Sequence, residues 1–187
     1  MRAHARIGSE PRPMPVEEIE AWADAQPGDE LYELGDGEPR MMSGPSAPHA
    51  AVQGKLIAGI DSRLRSGCFA LGPVGFRLDR HNERVPDITI YCGAIAQGRI
   101  DAASVVVEIV SDRNTARELI DKMTRYMRAP TLQEIWIVAS HARHFQRWSR
   151  DETGRWRGEA LGGDDALVSP LLTSPLPLGS LFESVGL

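Results

Sequence analysis

The chain has 187 residues, 42% hydrophobic and 25% charged, with a formal net charge of −5 at pH 7. That length suits a single domain able to bury a core, and the charge argues against a protein that coats nucleic acid. No apolar run approaches the ~20 residues a spanning helix needs, and no apolar stretch follows the N-terminal arginines as in a secretory signal, so the expectation is a cytoplasmic protein without a membrane partner.

Residues 1–14 carry two prolines, three arginines and no periodic apolar pattern. They read as a flexible tail ahead of one domain over 15–187. PVEEIEAWADA opens with proline and acids, as a helix N-terminus does. LYEL, GDG and EPRMMS read as a hairpin, with Gly35-Asp36-Gly37 supplying positive φ. After the loop GPSAPH, the spacing of Val52, Leu56, Ile60 and Leu64 predicts a helix from about Ala50 to Leu64, ended by Gly67. Three strand candidates follow: CFALGPVGFRL, broken by Gly72 and Pro73, then VPDITIY and SVVVEIV.

A helix is predicted from about Asn114 to Arg128, with an apolar stripe of Ala116, Leu119, Ile120, Met123, Tyr126 and Met127, and Ala129-Pro130 stops it. EIWIVAS is a buried strand. HFQRWSR and RWRGEAL form a polar hairpin across DETG, and the proline-rich C-terminus reads as loop plus a short helical turn. The order from Ala50 to Ser140 is thus α-β-β-β-α-β. The fold class is α/β: a mixed sheet with helices on its faces, preceded by a helix and a hairpin.

Cys68 and Cys92 stand outside any CxxC or Cys/His cluster, so zinc is not indicated. A disulfide and a pair of free, buried thiols are both open, and the cytoplasmic setting favours the thiols. Residues 113–157 hold ten of the 21 basic residues and five of the 26 acidic ones. That local excess fits either a basic face or arginines that merely solvate a helix and a hairpin.

Three residues carry the chemistry. Strand alternation puts Val105, Val107 and Ile109 on one face and Val106, Glu108 and Val110 on the other. Glu108 is the one charge in an apolar run, and an uncompensated polar group there costs about 2–7 kcal/mol. A metal ion, a partner arginine or a strand end open to water would each compensate it. Asp87 follows Pro86 at the start of the preceding strand, where proline is tolerated. A carboxylate at the mouth of one strand and one in its neighbour, with a main-chain carbonyl, make a hard-oxygen site suited to magnesium or manganese.

Lys122 is one of only two lysines, beside Lys55, among the 21 basic residues. A compact ammonium on a long stem differs chemically from an arginine fork. Lys122 lies at the edge of the helix stripe, positioned to reach along the sheet to within about 6 Å of the carboxylates, or to snorkel at the helix flank. Arg125 lies opposite and is expected to point to solvent.

In order, YELGDGE, SGPSAPH, VPDITIY, VVEIVSDRNTARELIDKMTRYM and QEIWIV resemble the Uma-two family of restriction endonucleases, within the PD-(D/E)XK nuclease superfamily. The resemblance runs from about Pro15 to Phe182. Glu33 and Glu38 match the family's hairpin acids, His49 its histidine, Pro86-Asp87 its Pro-Asp, Glu108 and Ser111 its strand end, Lys122 its helix lysine, and Gln133 to Val138 its last strand. In the superfamily's simpler form the lysine stands two residues after the glutamate, which is Val110 here, so the resemblance implies a lysine moved to the helix. Gly35, Pro39, Asp112 and Ile120 depart from the pattern.

The resemblance implies a restriction-endonuclease-like fold and metal-assisted phosphodiester hydrolysis, with DNA as the nucleic-acid partner. Asp87, Glu108 and the main-chain carbonyl of Ile109 would hold Mg²⁺, with Mn²⁺ as a substitute. Lys122 would orient the attacking water or stabilise charge, Glu33 or Glu38 would be an outer ligand, and His49 would contact phosphate or a carboxylate. Arginines between 113 and 157 would track the DNA backbone. A homodimer is expected, because a double-strand cut needs two sites. A nuclease fold that binds without cutting is the alternative, favoured by the acidic charge. A hydrolase of small phosphorylated molecules lacks a phosphate-binding glycine loop.

Overall fold

The computed structural model describes residues 12–95, 99–111 and 115–187. Its elements are α1 (Val16–Asp24), β1 (Tyr32–Gly35), β2 (Glu38–Met41), α2 (Ala47–Asp61), β3 (Cys68–Leu71), β4 (Phe76–Asp79), β5 (Asn82–Arg84), β6 (Ile88–Cys92), β7 (Val105–Val110), α3 (Ala116–Arg128), β8 (Glu134–Ala139), β9 (Phe145–Arg150), β10 (Trp156–Leu161), β11 (Ala166–Leu167), β12 (Leu176–Pro177) and α4 (Leu178–Glu183). The principal sheet has the order β10-β9-β8-β7-β6-β3. Only β7 and β8 run parallel in it, and α3 is their crossover. This is the mixed α/β sheet expected from the sequence.

β7 is central, and its alternating side chains serve two cores. Val105, Val107 and Ile109 join Val52, Leu56 and Ile60 of α2 and Leu178, Leu181 and Phe182 of α4. Val106 packs on the other face with Phe76, Tyr126, Leu132 and Ile135. A strand covered on both faces needs an almost unbroken apolar sequence, which VVVEIV supplies apart from Glu108.

A second, four-stranded antiparallel sheet has the order β2-β1-β5-β4. The stretch CFALGPVGFRL, expected as one interrupted strand, is two strands in different sheets. Gly72 and Pro73 mark where the chain leaves the large sheet, and β5 lacks an apolar pattern that would reveal it. The return lies between Arg84, the end of β5, and Ile88, the start of β6. Pro86 has no N–H to donate to either ladder, so the chain changes sheets there and Asp87 falls at the junction.

Local sequence accounts for the other boundaries. α2 starts three residues earlier than expected, because Ser46 accepts the His49 amide as N-cap and Pro48 sits in the first turn, where its missing N–H is harmless. His49 is therefore helical and not in a loop. Thr115 and Glu118 form a reciprocal capping box that starts α3. Asn114, the expected first residue of that helix, lies outside the described residues.

Two further expectations are corrected. Cys68 and Cys92 form a disulfide, because the register of β3 on β6 sets them directly opposite. The thiols are not free, and Cys92 is exposed. Ile120, expected in the buried stripe of α3, is 65% exposed. The helix instead turns the side carrying Leu119, Lys122, Met123 and Tyr126 toward the sheet. Among the described residues no helix is long and apolar enough to cross a membrane.

The β1–β2 turn takes positive φ at Asp36 and Gly37, not at Gly35. Residues 1–11 of the expected tail lie outside the described residues, but 12–14 are held against this turn, with the Met14 amide donating to the Gly37 carbonyl at 3.0 Å. A Cβ on Gly37 would lie 2.5 Å from Pro13 Cβ and 2.7 Å from its Cα, whereas one on Gly67, with a similar φ of 81°, would meet nothing within 4 Å. Urea unfolding should therefore separate the two. Gly67→Ala should cost only the backbone strain, about 1 kcal/mol, and Gly37→Ala about 3 kcal/mol, because a backbone must also move.

Candidate active site

The register Ile88–Val107 and Thr89–Val106, continued by one residue, brings Asp87 opposite Glu108. Asp87 closes the end of the β6–β7 pair. Its Oδ2 accepts the Ile109 amide at 2.6 Å, its Oδ1 is 3.0 Å from His49 Nε2, and its main-chain carbonyl accepts from Gln53 Nε2 at 2.7 Å. His49 and Gln53 are one turn apart on α2, so a single helix face holds both ends of this residue.

Glu108 is held by the corresponding arrangement on α3. Lys122 Nζ donates to Oε2 at 3.0 Å and Oε1 at 3.2 Å, and the Tyr126 hydroxyl donates to Oε1 at 2.6 Å. Again the two donors are one helical turn apart. Lys122 Nζ is also 3.6 Å from Glu33 Oε1. Glu33 in turn accepts from Arg84 at 2.9 Å and from the Val85 amide at 3.1 Å. Arg84 is buried and reaches Asp121 at 3.3 Å.

Of the residues singled out from sequence, Glu33, His49, Asp87, Glu108 and Lys122 thus form one connected cluster. Glu38 does not join it: it pairs with Gly35 at the exposed end of the hairpin. Ile109 is present through its amide on Asp87, whereas its carbonyl was the expected contributor. Arg84, Gln53 and Tyr126 were missed. The signal for Gln53 and Tyr126 was their i+4 spacing from His49 and Lys122. Arg84 had none, since it acts through a pairing between strands some 50 positions apart.

Arg125 also departs from expectation. It donates to Asp36 at 2.9 and 3.0 Å, to Asn82 at 2.7 Å and to Asp121 at 3.0 Å, tying α3 to the β1–β2 turn instead of pointing to water. Much of the local basic excess is used in the same way. Arg147 pairs with Glu134 and Glu159, Arg150 caps carbonyls at the end of α3 and lies over Trp156, and Arg155 and Arg157 pair with Asp151. Arg117 and Arg128 stay exposed on α3, while Arg113 lies outside the described residues.

Burial pushes the Glu108 carboxyl up, with the Asp87 charge adding to it, against the opposing pull of Lys122 and the Tyr126 hydroxyl. Burial alone would lower the Lys122 ammonium, but Glu108, Glu33 and Asp87 outweigh it and leave its pKa raised. Burial, Glu108 and Glu33 hold the Tyr126 phenol well above its usual value, so it keeps its proton and serves as a hydrogen-bond donor to Glu108.

The donor set fits a hard divalent cation. Asp87 and Glu108 offer oxygens on adjacent strands, and each Asp87 oxygen has a single protein contact at most among those described above, leaving lone pairs. Among the described residues no three His, Cys, Asp or Glu side chains close into a ready ligand cage. Magnesium does not need one, since it is commonly held by one or two carboxylates, with water and substrate phosphate completing the shell.

The hydrogen bond to Asp87 raises the His49 pKa, against burial. A raised folded-state value means the pair's contribution is full below the unfolded pKa, about 6.5, and is lost as pH rises through the folded value. The thermal midpoint of the metal-free protein should therefore step down above about pH 6.5, and His49→Gln should remove that step.

A model of the family described as "Uma2: Putative restriction endonuclease" matches residues 16–178. Among solved structures, the crystal structure of "a putative nuclease belonging to DUF820" from Anabaena variabilis ATCC 29413 matches with a TM-score of 0.73 and 15% identity, covering 89% of this chain and 98% of that one. At that identity the likeness is one of fold. The comparison with curated proteins found no match. The family match begins with α1 and ends where α4 begins, so it takes in every strand and every residue gathered around Asp87 and Glu108: the chain belongs to the Uma2 family.

Proposed function

We propose that this chain is a metal-dependent endonuclease that hydrolyses phosphodiester bonds, with DNA as substrate and Mg²⁺ as cofactor, replaceable by Mn²⁺. The observation that carries the reading is the contact of Lys122 with Glu108, a carboxylate buried in the central strand with Asp87 opposite. Asp87 and Glu108 would hold the ion. When bound, it would supply charge to offset the scissile phosphate and acidity for the attacking water.

The remaining roles belong to the protein. Lys122 spans Glu108 and Glu33 and, unlike the buried Arg84, keeps partial access to solvent. When it turns from carboxylate to phosphate or water, Arg84 still pairs with Glu33, and on Glu108 the Tyr126 hydroxyl stays in place while a bound cation would offset the charge. Its ammonium then orients the water or stabilises developing charge. His49 steadies Asp87 through their 3.0 Å contact. Substrate attraction comes from Arg117, Arg128 and Lys122, a modest basic contribution. A double-strand cut with one site per chain calls for a homodimer.

The direct test is incubation with single- and double-stranded DNA and RNA, with and without Mg²⁺ or Mn²⁺. Glu108→Gln should abolish metal-dependent cleavage. Lys122→Arg keeps the charge but replaces a compact donor by a planar fork, and should slow cleavage 100-fold or more, about 2.7 kcal/mol. Lys55→Arg, on α2, should behave as wild type. Metal-independent cleavage, or full activity in Glu108→Gln, would overturn the reading.

A further inference from the structure

We propose that Tyr126 is a positioning residue that fixes the Glu108 carboxylate through Oε1, so that Lys122 is free to leave it; this rests on the reading of Glu108 as a metal-holding group. The two donors on this carboxylate differ in kind. Lys122 is held at the end of a four-carbon stem, partly exposed and shared with Glu33. Tyr126 is fully buried, and its ring packs among Phe76, Ala129, Leu132 and Ile135. A phenol has two side-chain torsions, and this ring is enclosed, so its hydroxyl is aimed by the core and not by charge.

The division of labour follows from the geometry. The Tyr126 bond to Oε1 is the shorter one, at 2.6 Å, whereas the partner of Oε2 is Lys122 at 3.0 Å. If Lys122 were the only donor, its departure toward a substrate would release a buried carboxylate to rotate and to seek a proton. With Tyr126 in place, Oε1 stays where it is and Oε2 is the oxygen offered. A neutral donor serves here where a second cation would not, because it does not repel an incoming cation. Partners of this type, behind a ligand, typically change metal affinity or activity by about 10–100-fold when removed.

The test compares wild type, Tyr126→Phe and Lys122→Met by calorimetric titration with Mn²⁺ in the absence of nucleic acid. It also follows the side-chain carboxyl ¹³C resonance of Glu108 in the metal-free protein, assigned by its loss in Glu108→Gln. Tyr126→Phe should bind Mn²⁺ at least tenfold more weakly and should shift or broaden the resonance. Lys122→Met, which removes a competing positive charge, should bind Mn²⁺ as tightly as wild type or more tightly. An unmoved resonance, unchanged Mn²⁺ affinity in Tyr126→Phe, or an equal loss in both variants would overturn the proposal.

If Tyr126→Phe does not fold, 3-fluorotyrosine keeps the O–H while making it a stronger donor. It should then move the Glu108 resonance, and no movement would overturn the assignment. The two readings fail separately. A wild type that binds Mn²⁺ but cuts nothing defeats the nuclease reading and leaves Tyr126 to be judged on binding. A wild type that binds no Mn²⁺ defeats the metal reading, and the resonance alone decides.

Discussion

The carboxylate of Glu108 sits in the middle of the sheet, on a strand whose neighbours are hydrogen-bonded on both sides and whose faces are both covered. A bare charge there is costly enough that the protein must neutralise it or bind it. The compensation comes from α3, whose Lys122 and Tyr126 are one turn apart and converge on the two oxygens. This requirement sets the rotation of the helix. It brings Lys122 inward, sends Ile120 into water and places Arg125 where it can reach the β1–β2 turn. The helix is thus oriented as much by one buried charge as by its apolar stripe.

From that pair the constraints pass outward. Lys122 lies between Glu108 and Glu33, and Glu33 is fixed by Arg84, which also reaches Asp121 on α3. The small sheet is thereby tied to the large one through alternating charges, each with a partner of opposite sign. Removing one member of such a chain is more damaging than its surface equivalent, because the partner is left buried and unmatched. Lys122, placed between the Glu33 and Glu108 carboxylates, offsets their mutual repulsion.

Asp87 and Glu108 are supported in parallel ways from opposite faces. α2 offers His49 and Gln53, and α3 offers Lys122 and Tyr126, both pairs at i,i+4 spacing. Neither helix is held by this grip alone, since each also covers one of the two cores. Groups on rigid elements keep their geometry better than groups on loops; Glu33, His49, Glu108 and Lys122 stand on strands and helices, and Asp87 sits at the bend just before β6. The arginines of the second half of the chain serve mainly the same structural end. They cap carbonyls, stack on Trp156 or pair with acids, and few remain to make a basic surface.

The sequence by itself determined what depends on neighbours in the chain. β7 was legible because a β-branched run with one acid admits little else, and α3 because its apolar residues recur at 3.6 and Ala129-Pro130 stops it. The hairpin follows from Asp36-Gly37, and Lys122 was singled out by the rarity of lysine. The family motifs grouped one of the hairpin acids, Glu33 or Glu38, with His49, Asp87, Glu108 and Lys122.

What only the tertiary structure decided depends on register and rotation between distant segments. Local pattern does not say that Cys68 faces Cys92, that Gly72-Pro73 carries the chain from one sheet to another, or that Glu33 and not Glu38 faces Lys122. These follow from how strands pair and which way a helix turns. A shift of one residue in a strand reverses every side chain. The charges that must find partners across that register, Glu33 with Arg84 and Glu108 with Lys122 and Tyr126, meet only once the two sheets and α3 have packed together.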